Sequence, residues 1–307
     1  MKVACIQMDV LPCRKKENLE KALRMAEEAI VNGAEILVFP EVFSTGFCYE
    51  NLDLLSESSP YHTLLELARF SETHACVLIG SIIEKKTEMV LDNVLEKENL
   101  SENGSSVSGS VSGSVSGSVS GSVSGSVSGP GPEKYISAYY NLGFCLEAGV
   151  LAGTYRKTHP FKNENLYFSK GNSIEPISLK NRNLKIGLEI CYELRFPEIS
   201  RKLALAGSDL LVTIAAFPSP REAHWRNLSV ARAIENQLPH IACNRTGGGE
   251  NNSPGYFGAS MIVDAWGEIK ADAGDKEGVI VYDLDPIRKN KVREQIPVFK
   301  DRRPGLY

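Results

Sequence analysis

Apolar and polar positions alternate in two registers along this chain, and the switch between them marks its elements. Val3 to Met8 is a short apolar run that reads as a buried strand. From Asn18 to Val31 the apolar positions Leu19, Ala22, Leu23, Ala26, Ala29 and Ile30 recur at helical spacing, and Asn32-Gly33 supplies a glycine stop. Ile36-Leu37-Val38-Phe39 is a continuous apolar strand ending at Pro40-Glu41. A second helix follows over Tyr61 to Thr73, and a third strand over Cys76 to Gly80. This rhythm predicts an α/β fold in which helices cover a sheet.

The rhythm breaks between Lys85 and Lys134. Six tandem copies of Ser-Val-Ser-Gly run from Ser106 to Gly129 and close on Pro130-Gly131-Pro132. Alternate serine and glycine leave little to bury, so this stretch reads as a flexible low-complexity insertion within a single domain spanning 1–307. Its expected place is the tip of a hairpin formed by Leu78–Ile83 and Tyr140–Leu146. Beyond it, strands are expected over Asn141–Glu147, Val150–Tyr155, Leu184–Ile190, Leu210–Ile214 and His240–Asn244. Helices are expected over Glu198–Ala206 and Ala223–Asn236. Phe257–Val263 and Gly278–Leu284 are expected to pair with each other around the turn Ala265-Trp266-Gly267.

The 307 residues suffice for one large α/β domain, and a net charge of -4 argues against a nucleic-acid or anionic-membrane partner. No apolar run is long enough to span a bilayer, and the start of the chain lacks a signal-peptide layout. Seven cysteines are scattered without CxxC spacing, which argues against a disulfide framework or a zinc site and for a reducing, cytoplasmic setting.

Chemistry gathers at strand ends. Glu41 follows one buried strand, Lys157 another and Cys191 a third, with Glu164 in the loop after Lys157. Each alone reads as a solvated or packed side chain; their shared placement is informative, because open α/β sheets assemble sites beyond strand C-termini. A carboxylate such as Glu41 can take the proton of a cysteine thiol and later return it to a leaving amine. An ammonium such as Lys157, with a backbone N–H after the nucleophile, can hold the resulting oxyanion, and Glu164 can keep that ammonium charged. This set needs no metal and no cofactor.

Phe39-Pro40-Glu41, Tyr155-Arg156-Lys157-Thr158-His159 and Glu189-Ile190-Cys191-Tyr192-Glu193 resemble, in order, the glutamate, lysine and cysteine motifs of the nitrilase (carbon–nitrogen hydrolase) superfamily. Glu164, with Phe168 and Gly171 after it, is similar to the segment carrying that family's accessory carboxylate. The resemblance covers nearly the whole chain outside the insertion. It implies a four-layer α-β-β-α sandwich and a homodimer or higher homo-oligomer. Cys191-Tyr192-Glu193-Leu194-Arg195-Phe196, His224-Trp225 and Asn244-Arg245 look most like the ω-amidase-like branch, whereas nitrile-hydrolysing members more often carry Trp where this chain has Tyr192. The implied activity is hydrolysis of a small linear amide through a cysteine thioester, releasing ammonia and an acid. An N-carbamoyl amidohydrolase, a nitrilase and a non-catalytic scaffold of the same fold are the alternatives.

Tyr49, Tyr192 and Phe217 are candidate substrate-binding aromatics, with Phe47, Pro218 and Arg221 as further lining. Arg195 and Glu198 are expected to form an ion pair bracing the nucleophile turn rather than to bind substrate. His159 is expected behind Lys157, and His224 and Trp225 in structural positions.

Overall fold

The computed structural model describes residues 1–90, 134–248, 255–285 and 288–306. The low-complexity repeat and most of the insertion lie outside the described residues, so the reading of a flexible tether there is neither supported nor opposed. The chain divides into a large unit, Met1–Lys85 with Tyr139–Tyr307, and a small unit, Lys86–Ala138. In the small unit the described residues are strand continuations.

The large unit holds two six-stranded sheets. The strands of the first are β1 (Lys2–Gln7), β2 (Ile36–Val38), β3 (Val77–Val90), β4 (Lys134–Glu147), β5 (Val150–Arg156) and β14 (Gly278–Asp283), in the order β14-β1-β2-β3-β4-β5. Those of the second are β6 (Ile177–Leu179), β7 (Leu184–Ile190), β8 (Leu210–Ala215), β9 (His240–Asn244), β12 (Met261–Val263) and β13 (Ile269–Asp272), in the order β13-β12-β9-β8-β7-β6. A two-stranded ribbon of β10 (Thr246–Gly247) and β11 (Tyr256–Phe257) lies outside both. Each sheet has a parallel centre, β1-β2-β3 or β7-β8-β9, with antiparallel strands added at its flanks.

Parallel strands buried on both faces should be mostly apolar, and these are, with Glu189, Thr213, His240 and Asn244 among the buried polar exceptions. Val3, Cys5, Ile36, Val38, Leu188, Ile190, Val212 and Ile214 point between the sheets and form one core. Their neighbours Ala4, Ile6, Leu37 and Leu78 point the other way, onto Leu19, Ala22 and Ala26 of the helix Lys15–Val31 and Leu64 and Leu67 of the helix His62–Thr73. On the second sheet, Leu211 meets Ile199 and Leu203 of the helix Pro197–Leu205. Period-two alternation thus gives each sheet a partner sheet on one side and helices on the other, the α-β-β-α order.

Two expectations are corrected. Gly278–Asp283 does not pair with the strand before it; it crosses to the first sheet and runs antiparallel to β1, Lys2 opposite Asp283 and Gln7 opposite Gly278. The hairpin partner of Met261–Val263 is Ile269–Asp272, across the turn Ala265-Trp266-Gly267. Gly278–Asp283 packs on both faces, Ile280 and Tyr282 between the sheets and Val279 and Val281 on the other side, which suits the edge of β1 and not a hairpin that local spacing could announce. The cysteines also depart from a chain free of disulfides: Cys13, after β1, is bonded to Cys48, in the loop after Glu41, with Cα atoms 5.4 Å apart. The sheet juxtaposes these two loops, 35 residues apart in the chain.

Candidate active site

The ends of β2, β5 and β7 bring three side chains into one cluster. Cys191 opens a short 3-10 turn, Cys191–Arg195, directly after β7, and its φ of 53° places a non-glycine residue in the left-handed region. Such a turn carries the thiol out of the line of the strand. Cys191 is buried, at 8% exposure.

Glu41 and Lys157 are almost fully enclosed, at 0% and 1% exposure. Lys157 Nζ donates to Glu41 Oε1 at 2.7 Å and to Glu164 Oε2 at 2.8 Å. Glu41 Oε1 also accepts Asn141 Nδ2 at 2.8 Å, and its Oε2 accepts the Ala216 N–H at 3.0 Å. The Glu41 N–H in turn reaches the Ala215 carbonyl at 3.4 Å, tying β2 to the end of β8 in the other sheet. Behind Lys157, its N–H donates to the Asn141 carbonyl and its carbonyl accepts the Gly171 N–H, each at 2.9 Å. A Cβ on Gly171 would overlap the Arg156 carbonyl oxygen, so only glycine lets this loop lie against the lysine strand.

Two carboxylates flanking one ammonium fix the electrostatics. Burial opposes the Lys157 charge, yet Glu41, then Glu164 and Cys191, outweigh it and its pKa is raised. Burial pushes the Glu164 carboxyl up to about 7, Lys157 restraining the shift and Glu41 adding to it. Burial, with Glu41 next, drives the Cys191 thiol well above its ordinary value, against the opposing pull of Lys157. Burial and the neighbouring Glu41 thus favour the thiol of Cys191 over its thiolate.

Cys191 and Glu164 open onto a cavity of about 600 Å³. Tyr49, Tyr192 and Phe217 line it, as do Phe47, Pro218 and Arg221. Lining residues that sequence reasoning did not single out are Phe161, Tyr256 and Lys162. Tyr256 arrives from β11, and Arg245 stacks on its ring at 4.1 Å while reaching Asp9 Oδ1 at 3.2 Å. The expected ion pair of Arg195 with Glu198 is not present among the described residues: Arg195 turns into the cavity wall, 5.0 Å over the Phe217 ring and 3.2 Å from His224 Nδ1. Glu198 instead sits exposed in the first turn of the next helix, where a carboxylate favours the helix N-terminus. Trp225 is buried, its Nε1 donating to the Ala259 carbonyl at 2.7 Å. His159 lies beside the lysine motif, its ring stacked on Phe196 at 4.3 Å.

Asn141 is another residue that sequence reasoning passed over. It occupies a strand position of ordinary appearance, and only the approach of β4 to Glu41 reveals its use.

Fold and cluster together define a four-layer sandwich in which a thiol, two carboxylates and an ammonium gather at the strand ends. The carbon–nitrogen hydrolase family model matches residues 2–108 and 123–293. 2-Oxoglutaramate amidase of Bacillus subtilis is 31% identical over 311 residues, covering 99% of this chain and 98% of that protein. Human omega-amidase NIT2 is 26% identical over 314 residues, with 100% and 96% covered. The crystal structure of Saccharomyces cerevisiae Nit3, a member of branch 10 of the nitrilase superfamily, superposes with a TM-score of 0.76 at 25% identity, covering 99% of this chain and 96% of that one. The chain belongs to the carbon–nitrogen hydrolase family, in its ω-amidase-like branch, and is an amidase. Among the described residues no helix is long and apolar enough to cross a membrane.

Proposed function

We propose that this protein hydrolyses a small linear ω-amide, the monoamide of a dicarboxylic acid, with Cys191 as nucleophile, Glu41 as general base and acid, Lys157 as oxyanion partner and Glu164 as accessory carboxylate. The observation that carries this reading is the joint contact of Lys157 with Glu41 and Glu164 beneath a thiol held in a left-handed turn. The Cys191 sulfur attacks the amide carbonyl carbon as its proton passes to Glu41. Lys157 and a backbone N–H of the turn hold the oxyanion. As the C–N bond breaks, Glu41 gives the proton to the leaving nitrogen, and ammonia departs from a Cys191 thioester. Water then loses a proton to Glu41, attacks the thioester, and releases the acid and the thiol, so the sum is amide plus water to acid plus ammonia.

The substrate class draws support from the named activities of the 2-oxoglutaramate amidase and omega-amidase relatives. It also draws support from Arg195, Arg221 and Lys162 on the cavity wall, which suit a substrate carrying a carboxylate at the end remote from the amide. Tyr49, Tyr192 and Phe217 would pack against its carbon chain. We take the chain 1–307 as one catalytic domain interrupted by the insertion and working as a homo-oligomer in the cytoplasm. Ammonia release, measured over dicarboxylic acid monoamides, N-carbamoyl amines and simple nitriles, should be fastest with the monoamides. Cys191→Ala should abolish it and remove the acyl adduct seen by intact-protein mass spectrometry. Faster turnover of carbamoyl compounds with carbon dioxide release, or of nitriles, would refute the ω-amide assignment.

A further inference from the structure

Glu193 lies two residues after Cys191 and is completely buried. One carboxylate here collects five hydrogen bonds from two distant stretches of chain. Its Oε1 accepts the Tyr155 hydroxyl at 2.6 Å, the Thr158 N–H at 2.7 Å, the Thr158 Oγ1 at 2.6 Å and the His159 N–H at 3.3 Å. Its Oε2 accepts the Ile190 N–H at 2.8 Å. Ile190 immediately precedes Cys191, and Thr158 immediately follows Lys157. The sulfur-bearing turn and the ammonium-bearing loop are each one peptide from an atom held by the same side chain.

No backbone ladder joins the strands that carry them, since β5 edges the first sheet and β7 lies in the second. Apolar packing between sheets sets their separation, but it is not directional and permits sliding. Hydrogen bonds to a carboxylate are short and directional, and they supply the missing constraint. We propose that Glu193 is a positioning residue that fixes Cys191 relative to Lys157, holding the nucleophile and the oxyanion partner at reacting distance across the gap between the two sheets. Burial opposes its ionised form, but the donors at His159, Thr158, Tyr155 and Ile190 prevail and its pKa is lowered, so the carboxylate stays an acceptor for all five.

This inference rests on the reading of Cys191 as nucleophile. It is tested with Glu193→Gln, using succinic acid monoamide as substrate and the pH dependence of Cys191 alkylation by iodoacetamide as second readout. Gln removes the charge and turns one acceptor into a donor, which the Thr158 and His159 N–H groups, or that of Ile190, then oppose. A shift of the turn against Lys157 by an ångström should lower kcat roughly a hundredfold with KM little changed. The alkylation midpoint should move to higher pH, because Lys157 favours the thiolate and would stand farther off. Loss of the Glu193 charge acting through space would move it to lower pH instead, so the sign separates position from charge.

Should Glu193→Gln fail to give a native near-ultraviolet circular dichroism spectrum, Tyr155→Phe and Thr158→Val each strip one donor, and smaller falls in kcat with the same upward move are expected. Wild-type kcat and midpoint in a folded Glu193→Gln, or in both donor variants, would overturn the proposal, as would a downward midpoint. Retained turnover in Cys191→Ala would overturn both this role and the nucleophile assignment; lost turnover there beside an unaffected Glu193→Gln overturns the positioning role alone.

Discussion

Replacing Lys157 by Met keeps most of the side-chain volume and removes the one cation that serves both buried carboxylates. Packing changes little, so the electrostatic loss dominates. Breaking a buried ion pair by deleting one partner costs about 3–5 kcal/mol, because the charge left behind is desolvated and uncompensated. Here that cost depends on pH in a direction the structure fixes. In the wild-type protein Glu164 sits at about 7, raised by burial and held back by Lys157, against an ordinary glutamate value of 4.5. A carboxyl whose folded pKa lies above its unfolded one contributes stability that is full below the unfolded value and lost as pH rises through the folded value. Without Lys157 the folded value climbs further, so the variant goes on losing stability above pH 7, where the wild type has levelled off. Each extra pH unit over which one carboxyl keeps its proton is worth about 1.4 kcal/mol. Urea unfolding at pH 5.5 and 8.5, followed through Trp225 and Trp266 fluorescence, should show a small deficit at the lower pH and the larger one at the higher. A deficit independent of pH, or greater at pH 5.5, would refute the view that Lys157 is the counter-charge of this cluster.

Glu189, buried between β7 and the helix Pro197–Leu205, bears on the same linkage elsewhere. Burial pushes it up to about 8 despite Ser200, Arg232 and Thr213, so it too weakens the fold as pH rises from 4.5 to 8. Glu189→Gln should therefore flatten that slope and raise the melting temperature at pH 8.5 relative to the wild type, with no gain at pH 5; thermal denaturation at the two pH values is the check. Gly171→Ala places a methyl group on the Arg156 carbonyl oxygen and must push the lysine strand aside. It should cost about 1–3 kcal/mol of stability and lower kcat tenfold or more, and an unchanged kcat would show that the loop accommodates the methyl without moving Lys157.

The largely apolar runs Ile36–Phe39, Leu184–Ile190 and Leu210–Ile214 announced the central strands, because a strand buried on both faces is mostly apolar, Glu189 and Thr213 being the buried exceptions. The helix was legible from its spacing over Asn18–Val31, and it begins three residues earlier, at Lys15. Less legible was Arg288–Gln295, a helix with Val292 as its single buried residue, which gives no periodic signal. The strand Ile177–Leu179 was missed because three residues are too few to show alternation.

Side chains whose position follows from a strand end could be read from the chain: Glu41, Lys157 and Cys191 each stand where an apolar run stops. Those whose use depends on a second segment could not. Glu193 and Asn141 gain their partners only when β5, β4 and β7 converge, and Arg195 exchanges an expected neighbour in its own turn for Phe217 and His224. The pairing of β14 with β1 and the bond between Cys13 and Cys48 belong to the same class. Local periodicity records which face of an element is dry, since burial is decided residue by residue. Which dry faces meet, and which polar groups then face one another, is decided by packing across hundreds of residues, and that information exists only in the folded chain.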